Sequence, residues 1–178
     1  DGQTHDVKYR FRGRSIYHWN PKKPSLRIKT SRKNPFEQLR HFNLINPEDR
    51  AMISNFYGEY LADKMGILTH NTKFVELFIN QKYVGVYHFT TNDDEEMLRA
   101  NDRVPGPIYV GDDLADRWEL DQFKTKGDLK AHKNLLPLQI LLDAIYAENS
   151  TNQIDSLWNI LSKEKYAKFN ALLSLVGG

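Results

Sequence analysis

The stretch 74-FVELFINQKYVGVYHFT-90 consists of two apolar runs on either side of a short polar segment. Both runs are rich in β-branched and aromatic residues, which favours strands, and Asn80 suits the left-handed backbone of a tight turn. The stretch therefore predicts a β-hairpin. Because nearly every position is apolar, we expect this hairpin to lie in the middle of a sheet that is covered on both faces.

Gly85 lies inside the second run, between two valines. Glycine weakens a strand, so its presence predicts a β-bulge or a point where a helix or a flat ligand approaches the backbone. The acidic sequence NDDEE follows this run, and residues 92–101 are typical of a short capped helix.

Further strands are predicted upstream of the hairpin by alternating apolar and cationic residues. In 7-VKYRFRG-13 and 25-SLRIKT-30 every second residue is apolar, so we expect each strand to turn its apolar residues inward. Arg27 and Lys29 then share the cationic face of the second strand. Residues 38–45 are a weaker strand candidate.

A helix is predicted over residues 47–65. Asn46 is a plausible cap, Pro47 suits the first helical position, and apolar residues recur at helical spacing until Gly66. Between the hairpin and Asp128, 108-IYVG-111 predicts a short strand.

From Asp128 onward the pattern is helical. We expect a first helix with a kink at Pro137 and then two shorter helices. The order predicts an α+β fold: a β-rich lobe of residues 1–111, in which an antiparallel sheet packs on one helix, and a helical second lobe that starts at residues 112–178.

Composition excludes several classes of protein. The 178 residues are 40% apolar and 12% aromatic, which is enough for a packed core, and no run approaches the roughly 20 apolar residues of a membrane span. The absence of cysteine excludes disulfides, thiolate metal sites and cysteine nucleophiles. The six histidines show no pair at metal-ligand spacing on one helix, so we predict no metal site.

Charge is distributed unevenly along the chain. Residues 1–42 contain 11 Lys and Arg against three acidic residues, a net charge of +8, whereas the remainder has 14 against 20, a net charge of −6. Such a basic segment suits the phosphates of a nucleotide or a nucleic acid, or an acidic surface of the same protein.

The motifs RFRGRS, KKPSLRIK, a helix ending in MG, FVELFINQKYVGVYHF and IYVG occur in this order. Their order and spacing resemble the spore-coat CotH kinase family, over residues 7–111 by motifs and beyond them only as a helical pattern. The resemblance implies an atypical protein-kinase fold that uses ATP with Mg²⁺ or Mn²⁺ and phosphorylates Ser or Thr of a coat or surface protein. It also implies an exported, cell-surface or spore-coat location.

Phosphoryl transfer requires cations around the phosphates, so the strand cations are the first site candidates. Lys29 is favoured over Arg27, and Glu59 of the predicted helix is the candidate carboxylate to hold it. The alternative is that Lys29 and Glu59 are ordinary solvated surface charges.

The resemblance adds loop and strand-end cations to this site. Lys22 and Lys23 match the family's paired lysines, which in a loop are otherwise expected to be solvated. Arg12 and Arg14 flank Gly13 at the family's RxRG position, and Arg12 shares the cationic strand face.

Tyr87 is the candidate for stacking on adenine, because Gly85 leaves room beside it, with the backbone of residues 88–91 as the hinge. The alternative is an ordinary core tyrosine. Two positions depart from the family: Thr91 replaces a common Glu, and Val110 replaces a Lys. These changes weaken nucleotide binding, or Asp93 and its neighbour Asp94 supply the carboxylate.

In the family the metal-binding and catalytic carboxylates follow the helices, near a WDxD-like element that residues 112–178 do not contain. The resemblance therefore implies the N-terminal part of a kinase, with no catalytic residues in this segment and no activity by itself. The alternative is an inactive structural or surface-binding module that engages an acidic protein or polysaccharide through its basic strands. Binding of RNA or DNA is a third option, against which the limited clustering of aromatic and basic residues argues.

Overall fold

The computed structural model describes most of the chain, namely residues 4–13, 16–47, 53–111, 118–126, 134–147 and 150–176. The chain divides into two compact units, Asp1–Arg103 and Val104–Gly178. The predicted lobe boundary at residue 111 stays a prediction, since compactness alone does not define a functional lobe. Among the described helices, none has both the length and the apolar character needed to cross a membrane.

The first unit contains a five-stranded antiparallel sheet. Its strands are β1 (Val7–Phe11), β2 (Leu26–Thr30), β3 (His41–Ile45), β4 (Thr72–Ile79) and β5 (Lys82–Thr91). The spatial order is β1-β2-β3-β5-β4, so the predicted hairpin of β4 and β5 joins the sheet through β5. Two helices accompany the sheet: α1 (Ser54–Lys64) between β3 and β4, and α2 (Glu95–Ala100) after β5.

The second unit is mainly helical. Its described elements are β6 (Ile108–Val110), β7 (Lys124–Lys126), α3 (Leu136–Ile145), α4 (Ser150–Ile160) and α5 (Lys163–Val176), and β6 pairs with β7. The expected kink at Pro137 is wrong, because α3 begins at Leu136 and the proline lies in its first turn, where no intrahelical N–H is needed. The fold is α+β, as predicted.

The hydrophobic core of the first unit lies on one face of the sheet, here called the core face. Its buried residues are Leu26, Ile28, Leu39, Phe42, Leu44, Tyr87 and Phe89. The rings of Phe42 and Phe89 stack with their centroids 5.0 Å apart, across the pairing of β3 with β5. The inward orientation predicted for Leu26 and Ile28 is therefore confirmed.

The expected burial of β1 is wrong. Val7, Tyr9 and Phe11 are all exposed, and Tyr9 retains 70% of its accessible surface. The reason is position: β1 forms the end of the described sheet, where no described layer covers its apolar side chains.

The central position expected for the hairpin is also wrong for half of it. Only β5 is interior, whereas β4 lies at the other end of the sheet and leaves Phe78 and Ile79 exposed. The turn itself is as predicted: Asn80 and Gln81 both have positive φ, the conformation of a two-residue hairpin turn.

The helix predicted over residues 47–65 is described as α1 from Ser54, and residues 48–52 lie outside the described part. It ends as expected, since Met65 forms its C-cap and Gly66 follows with a φ of +68°. Short helix α2 is also confirmed, with Asp94 as its N-cap.

Gly85 marks a β-bulge, as its place in the strand predicted. Leu77 pairs with Gly85 while Phe78 pairs with Tyr83, so one residue of β5 has no partner in β4. Gly85 has a φ of +137°, and a Cβ atom there would lie 3.0 Å from Cε of Lys23. The lysine tail can move, so backbone strain is the larger obstacle to any side chain.

We expect Gly85→Ala to lower the free energy of unfolding by about 1–3 kcal/mol, because alanine would be held in a backbone region that is strained for L-residues. Gly58→Ala is the matched control. Gly58 lies within α1 with no atom within 4 Å of the added Cβ, so the helix should gain about 0.5–1 kcal/mol. Urea denaturation of both variants measures the difference, and equal effects would contradict the bulge as the cause.

Candidate functional site

The face of the sheet opposite the core, here called the helix face, carries the polar side chains. Residues that pair across strands share a face, and one such row crosses the sheet. It consists of Arg10, Arg27, Asn43 and Thr90. Since Asn43 is only 1% exposed, this polar row is partly shielded from water.

Helix α1 packs on the helix face through one aromatic contact group. The ring of Phe56 lies 4.9 Å from that of Phe74 on β4 and 6.2 Å from that of His88 on β5, between ring centroids. This packing places the next turn of α1, with Glu59, beside the polar side of the sheet.

Three arginines, here called the arginine group, lie together on the helix face: Arg10, Arg12 and Arg27. Nε of Arg27 donates a hydrogen bond to Oδ1 of Asn43 at 3.2 Å. Backbone N–H of Arg12 donates to the carbonyl of Ser25 at 3.0 Å and continues the pairing of β1 with β2 by one residue. The guanidinium of Arg12 thereby stays close to the strand cations.

Burial and mutual repulsion act on this group. Partial burial lowers the pKa of Arg12, the charges of Arg27 and Arg10 lower it further, and Asp93 opposes them. The pKa of Arg27 is lowered by burial and by Arg10, against the charges of Asp93 and Asp94. Arg12 and Arg27 remain charged at neutral pH, so an anion placed here would be attracted in a partly desolvated setting.

Asp93 belongs to a second cluster on the same face. Nε2 of His70 lies 3.0 Å from Oδ1 of Asp93, and Nδ1 of His70 lies 3.3 Å from the hydroxyl of Thr91. Glu59 accepts hydrogen bonds from the hydroxyl of Thr69 and, at 3.1 Å, from the backbone N–H of His70. The imidazole therefore lies between the carboxylate of Asp93 and the hydroxyl of Thr91, while Glu59 binds the backbone of the same residue.

This arrangement shifts two pKa values. Burial by itself lowers the pKa of His70, but the hydrogen bond to Asp93 and the charge of Glu59 outweigh it and leave the pKa raised. Burial raises the pKa of Glu59, opposed by the charge and backbone hydrogen bond of His70. The raised pKa of His70 favours an imidazolium beside the carboxylate of Asp93, whereas the raised pKa of Glu59 makes that carboxylate easier to protonate.

A cavity of about 350 Å³ opens beside this cluster. Its walls include Phe56, Glu59, Thr69, His70 and Asn101, and its polar lining suits a hydroxylated or cationic ligand. Among the described residues no arginine lines it, so this cavity and the arginine group are separate features of the helix face.

Four of the predicted site residues lie on the helix face: Arg12, Arg27, Lys29 and Glu59. Lys29 is exposed and pairs across the sheet with His41. Within the described residues Glu59 binds Thr69 and His70, and no ion pair joins it to Lys29. The expected ion pair between Lys29 and Glu59 is therefore wrong for this structure.

The other two predicted residues, Tyr87 and Lys23, lie on the core side. Tyr87 is 0% exposed and belongs to the core cluster, so its ring offers no surface to adenine. Nζ of Lys23 lies 5.8 Å from the centre of that ring, and the lysine chain passes over Gly85. The predicted phosphate cations Arg12 and Lys29 therefore do not share a cleft with Tyr87, the predicted adenine contact, because the side-chain alternation of the strands puts Tyr87 on the opposite face.

The remaining positions are placed as follows. Lys22 is exposed in its loop, and Arg14 lies outside the described residues. Thr91 is buried, and its hydroxyl accepts the backbone N–H of Asn71 at 3.3 Å. Val110 on β6 pairs with Lys124 on β7, so a lysine lies directly across from the position where the family has one.

Residues that sequence patterns did not single out complete the site. Asn43 was hidden in the weak strand candidate, and His70 follows α1 in a segment without periodicity. The available signal was chemical: an asparagine inside one predicted strand and a histidine shortly before another.

Fold and site together define an α+β protein in which a helix-backed sheet displays a partly buried arginine group. A family model described as CotH kinase protein matches residues 9–173, which is most of the chain. The chain belongs to this CotH kinase family, and its function at the family level is kinase-like. The match confirms the resemblance and extends it through the helical second unit. No curated protein matches the chain.

Stability should depend on pH through His70. Since its pKa is raised above the ordinary 6.5, its stabilising effect is fully present below that value and is lost as pH rises through the folded-state pKa. We expect the difference in unfolding free energy between wild type and His70→Gln to be larger at about pH 5.5 than at about pH 8. Urea denaturation at both values tests this, and a constant difference would contradict it.

Proposed function

We propose that this chain is the nucleotide-binding part of an ATP-dependent protein kinase that phosphorylates Ser or Thr of a coat or surface protein. The phosphates of ATP bind the helix face at Arg12, Arg27 and Lys29. Family membership and the arrangement of strands, helix and hairpin support this proposal.

The observation that carries the proposal is the imbalance of charge at the arginine group. Three guanidinium groups act on one another, two of them partly desolvated, and Asp93 is the carboxylate whose charge acts on both Arg12 and Arg27. Asp93 is also engaged by His70. A phosphate with several anionic oxygens would relieve the repulsion and accept bidentate hydrogen bonds from guanidinium.

Because the phosphates are placed on the helix face, the residue that contacts adenine should also lie on that face. On β5 the helix face carries Val86, His88 and Thr90, which alternate with the buried Tyr87. His88 is 4% exposed, whereas Val86 is partly accessible. We therefore assign the apolar contact with the base to Val86 in place of Tyr87.

The divalent ion that the family resemblance implies would neutralise phosphate charge during transfer. Asp93 lies near the arginine group but is held by His70, so its donor atoms fit charge balance better than metal coordination. The residues of this face bind and orient phosphate, and we assign the ion that accompanies ATP no ligand among them.

A second candidate function is binding of an acidic protein or polysaccharide without catalysis. The exposed strand β1, with Lys8 and Arg10 on its helix face, favours this reading. The two functions differ in ligand selectivity. A kinase site distinguishes ATP from a polyanion of equal charge, whereas a general cationic surface does not.

We expect Arg27→Gln to weaken ATP binding about tenfold or more, because each charge-assisted hydrogen bond contributes about 1.5–3 kcal/mol. Arg103→Gln makes the same change in charge at an exposed position and should leave affinity unchanged. Isothermal titration with ATP, AMP and polyglutamate compares the variants. Equal loss for ATP and polyglutamate would favour the acidic-partner function, and unchanged ATP affinity in Arg27→Gln would overturn the phosphate assignment.

Lys29→Ala should abolish transfer of the γ-phosphate by the natural full-length protein, since an exposed ammonium on the helix face is free to follow the phosphates. Transfer of radiolabelled phosphate to Ser or Thr of acceptor proteins measures the effect. Lys33→Ala, at an exposed loop position, is the control. Full activity of Lys29→Ala would remove Lys29 from the mechanism.

A further inference from the structure

Three possible metal ligands converge where α2 meets the beginning of β3. His41 comes from β3, Asp94 is the N-cap of α2, and Glu96 lies in the first turn of α2. One nitrogen or oxygen from each of these side chains lies within 4.8 Å of the other two. All three side chains are partly buried, unlike a cluster of solvated surface acids.

Both carboxylates are fixed in place by other hydrogen bonds. The two oxygens of Glu96 accept the backbone N–H groups of Arg40 at 2.8 Å and His41 at 3.0 Å. Oδ1 of Asp94 accepts the N–H of Glu96 at 3.0 Å, and its Oδ2 accepts Nδ2 of Asn92 at 2.8 Å. Each carboxylate oxygen keeps further lone pairs, so the acids are preorganised and still able to coordinate an ion.

The spacing between His41 and Asp94 is the more specific observation. Nδ1 of His41 lies 3.9 Å from Oδ2 of Asp94, which is too long for a direct hydrogen bond. It suits two ligands of one ion, each at about 2.0–2.2 Å from it. The side chains of His41 and Asp94 are 24% and 16% exposed, so the gap still has access to solvent.

Burial and neighbouring charges act on His41 in opposite directions. Burial lowers its pKa, the cations Lys29 and Arg40 lower it further, and the charges of Glu96 and Asp94 oppose them without reversing the shift. Metals coordinate the neutral form of imidazole, so an ion at this site would compete with the proton for Nδ1.

We propose that His41, Asp94 and Glu96 bind one divalent transition-metal ion that joins α2 to β3. Two carboxylates and a neutral imidazole give a donor set of charge −2, which balances the ion. The imidazole ligand favours Zn²⁺ over Mg²⁺ and Ca²⁺, which prefer oxygen ligands alone, and the two carboxylates also suit Mn²⁺. Binding of this ion requires no nucleotide, and the ion is distinct from the one that accompanies ATP.

Asn92 adds an independent observation at the same place. Its amide nitrogen binds Asp94, while its buried Oδ1 has no hydrogen-bond partner among the described residues. Buried acceptors are rarely left unsatisfied in folded proteins. The amide that carries this oxygen is hydrogen-bonded to Asp94, one of the three proposed ligands.

The test is titration of the chelator-treated chain with Zn²⁺ and, separately, Mn²⁺ in the absence of nucleotide, with Mg²⁺ as the comparison. We expect one ion per chain by isothermal titration and a higher thermal unfolding midpoint in its presence. His41→Gln should weaken binding at least about tenfold and abolish the thermal shift. Asp94→Asn should do the same while keeping an N-cap acceptor for α2.

His5→Gln and His70→Gln are the matched controls, since they remove other imidazoles, one of which also contacts an aspartate. Both should keep the binding of wild type. Circular dichroism of each variant without metal establishes that α2 and the sheet are folded. Absence of binding by wild type, equal binding by His41→Gln, or loss of binding in His70→Gln alone would each overturn the proposal.

Discussion

The pairing of β3 with β5 is the constraint on which the first unit depends. It joins residues 41–45 to residues 88–91 and thereby connects the N-terminal strands to the hairpin across α1. Because side chains alternate with a period of two, a slip of one residue would exchange the faces of every strand that follows. The stacking of Phe42 on Phe89 on one face and the row from Arg27 to Thr90 on the other are two results of the same register.

This register also concentrates charge. On the helix face it places Arg27 beside Asn43, and the chain that leaves β5 brings Asp93 to the arginines and to His70. The acids of this turn are therefore divided among three tasks: Asp93 binds His70, Asp94 caps α2, and Glu96 binds the start of β3. A short acidic segment that resembles a helix start in sequence thus organises one whole edge of the site.

Local patterns predicted most elements but not their neighbours. The hairpin, the alternation of β2 and the cap of α2 depend on residues close in sequence, and each was predictable from them. The end positions of β1 and β4, and the inaccessibility of Tyr87, depend on which strands pair and in which register, which no short pattern contains. The candidate site could be predicted only in part. The alternating cations of the predicted strands indicated Arg12 and Arg27, whereas His70 and Asn43 become site residues only through contacts between distant segments.

The position of β1 at the end of the sheet has a consequence for association between molecules. An uncovered strand presents unpaired backbone groups that invite another strand to add to the sheet, and the exposed rings of Tyr9 and Phe11 would reinforce such an addition. Lys8 and Arg10 alternate with these aromatic residues. In an edge-to-edge encounter of two copies these cations would repel one another, so the basic character of this strand also protects the protein from aggregation.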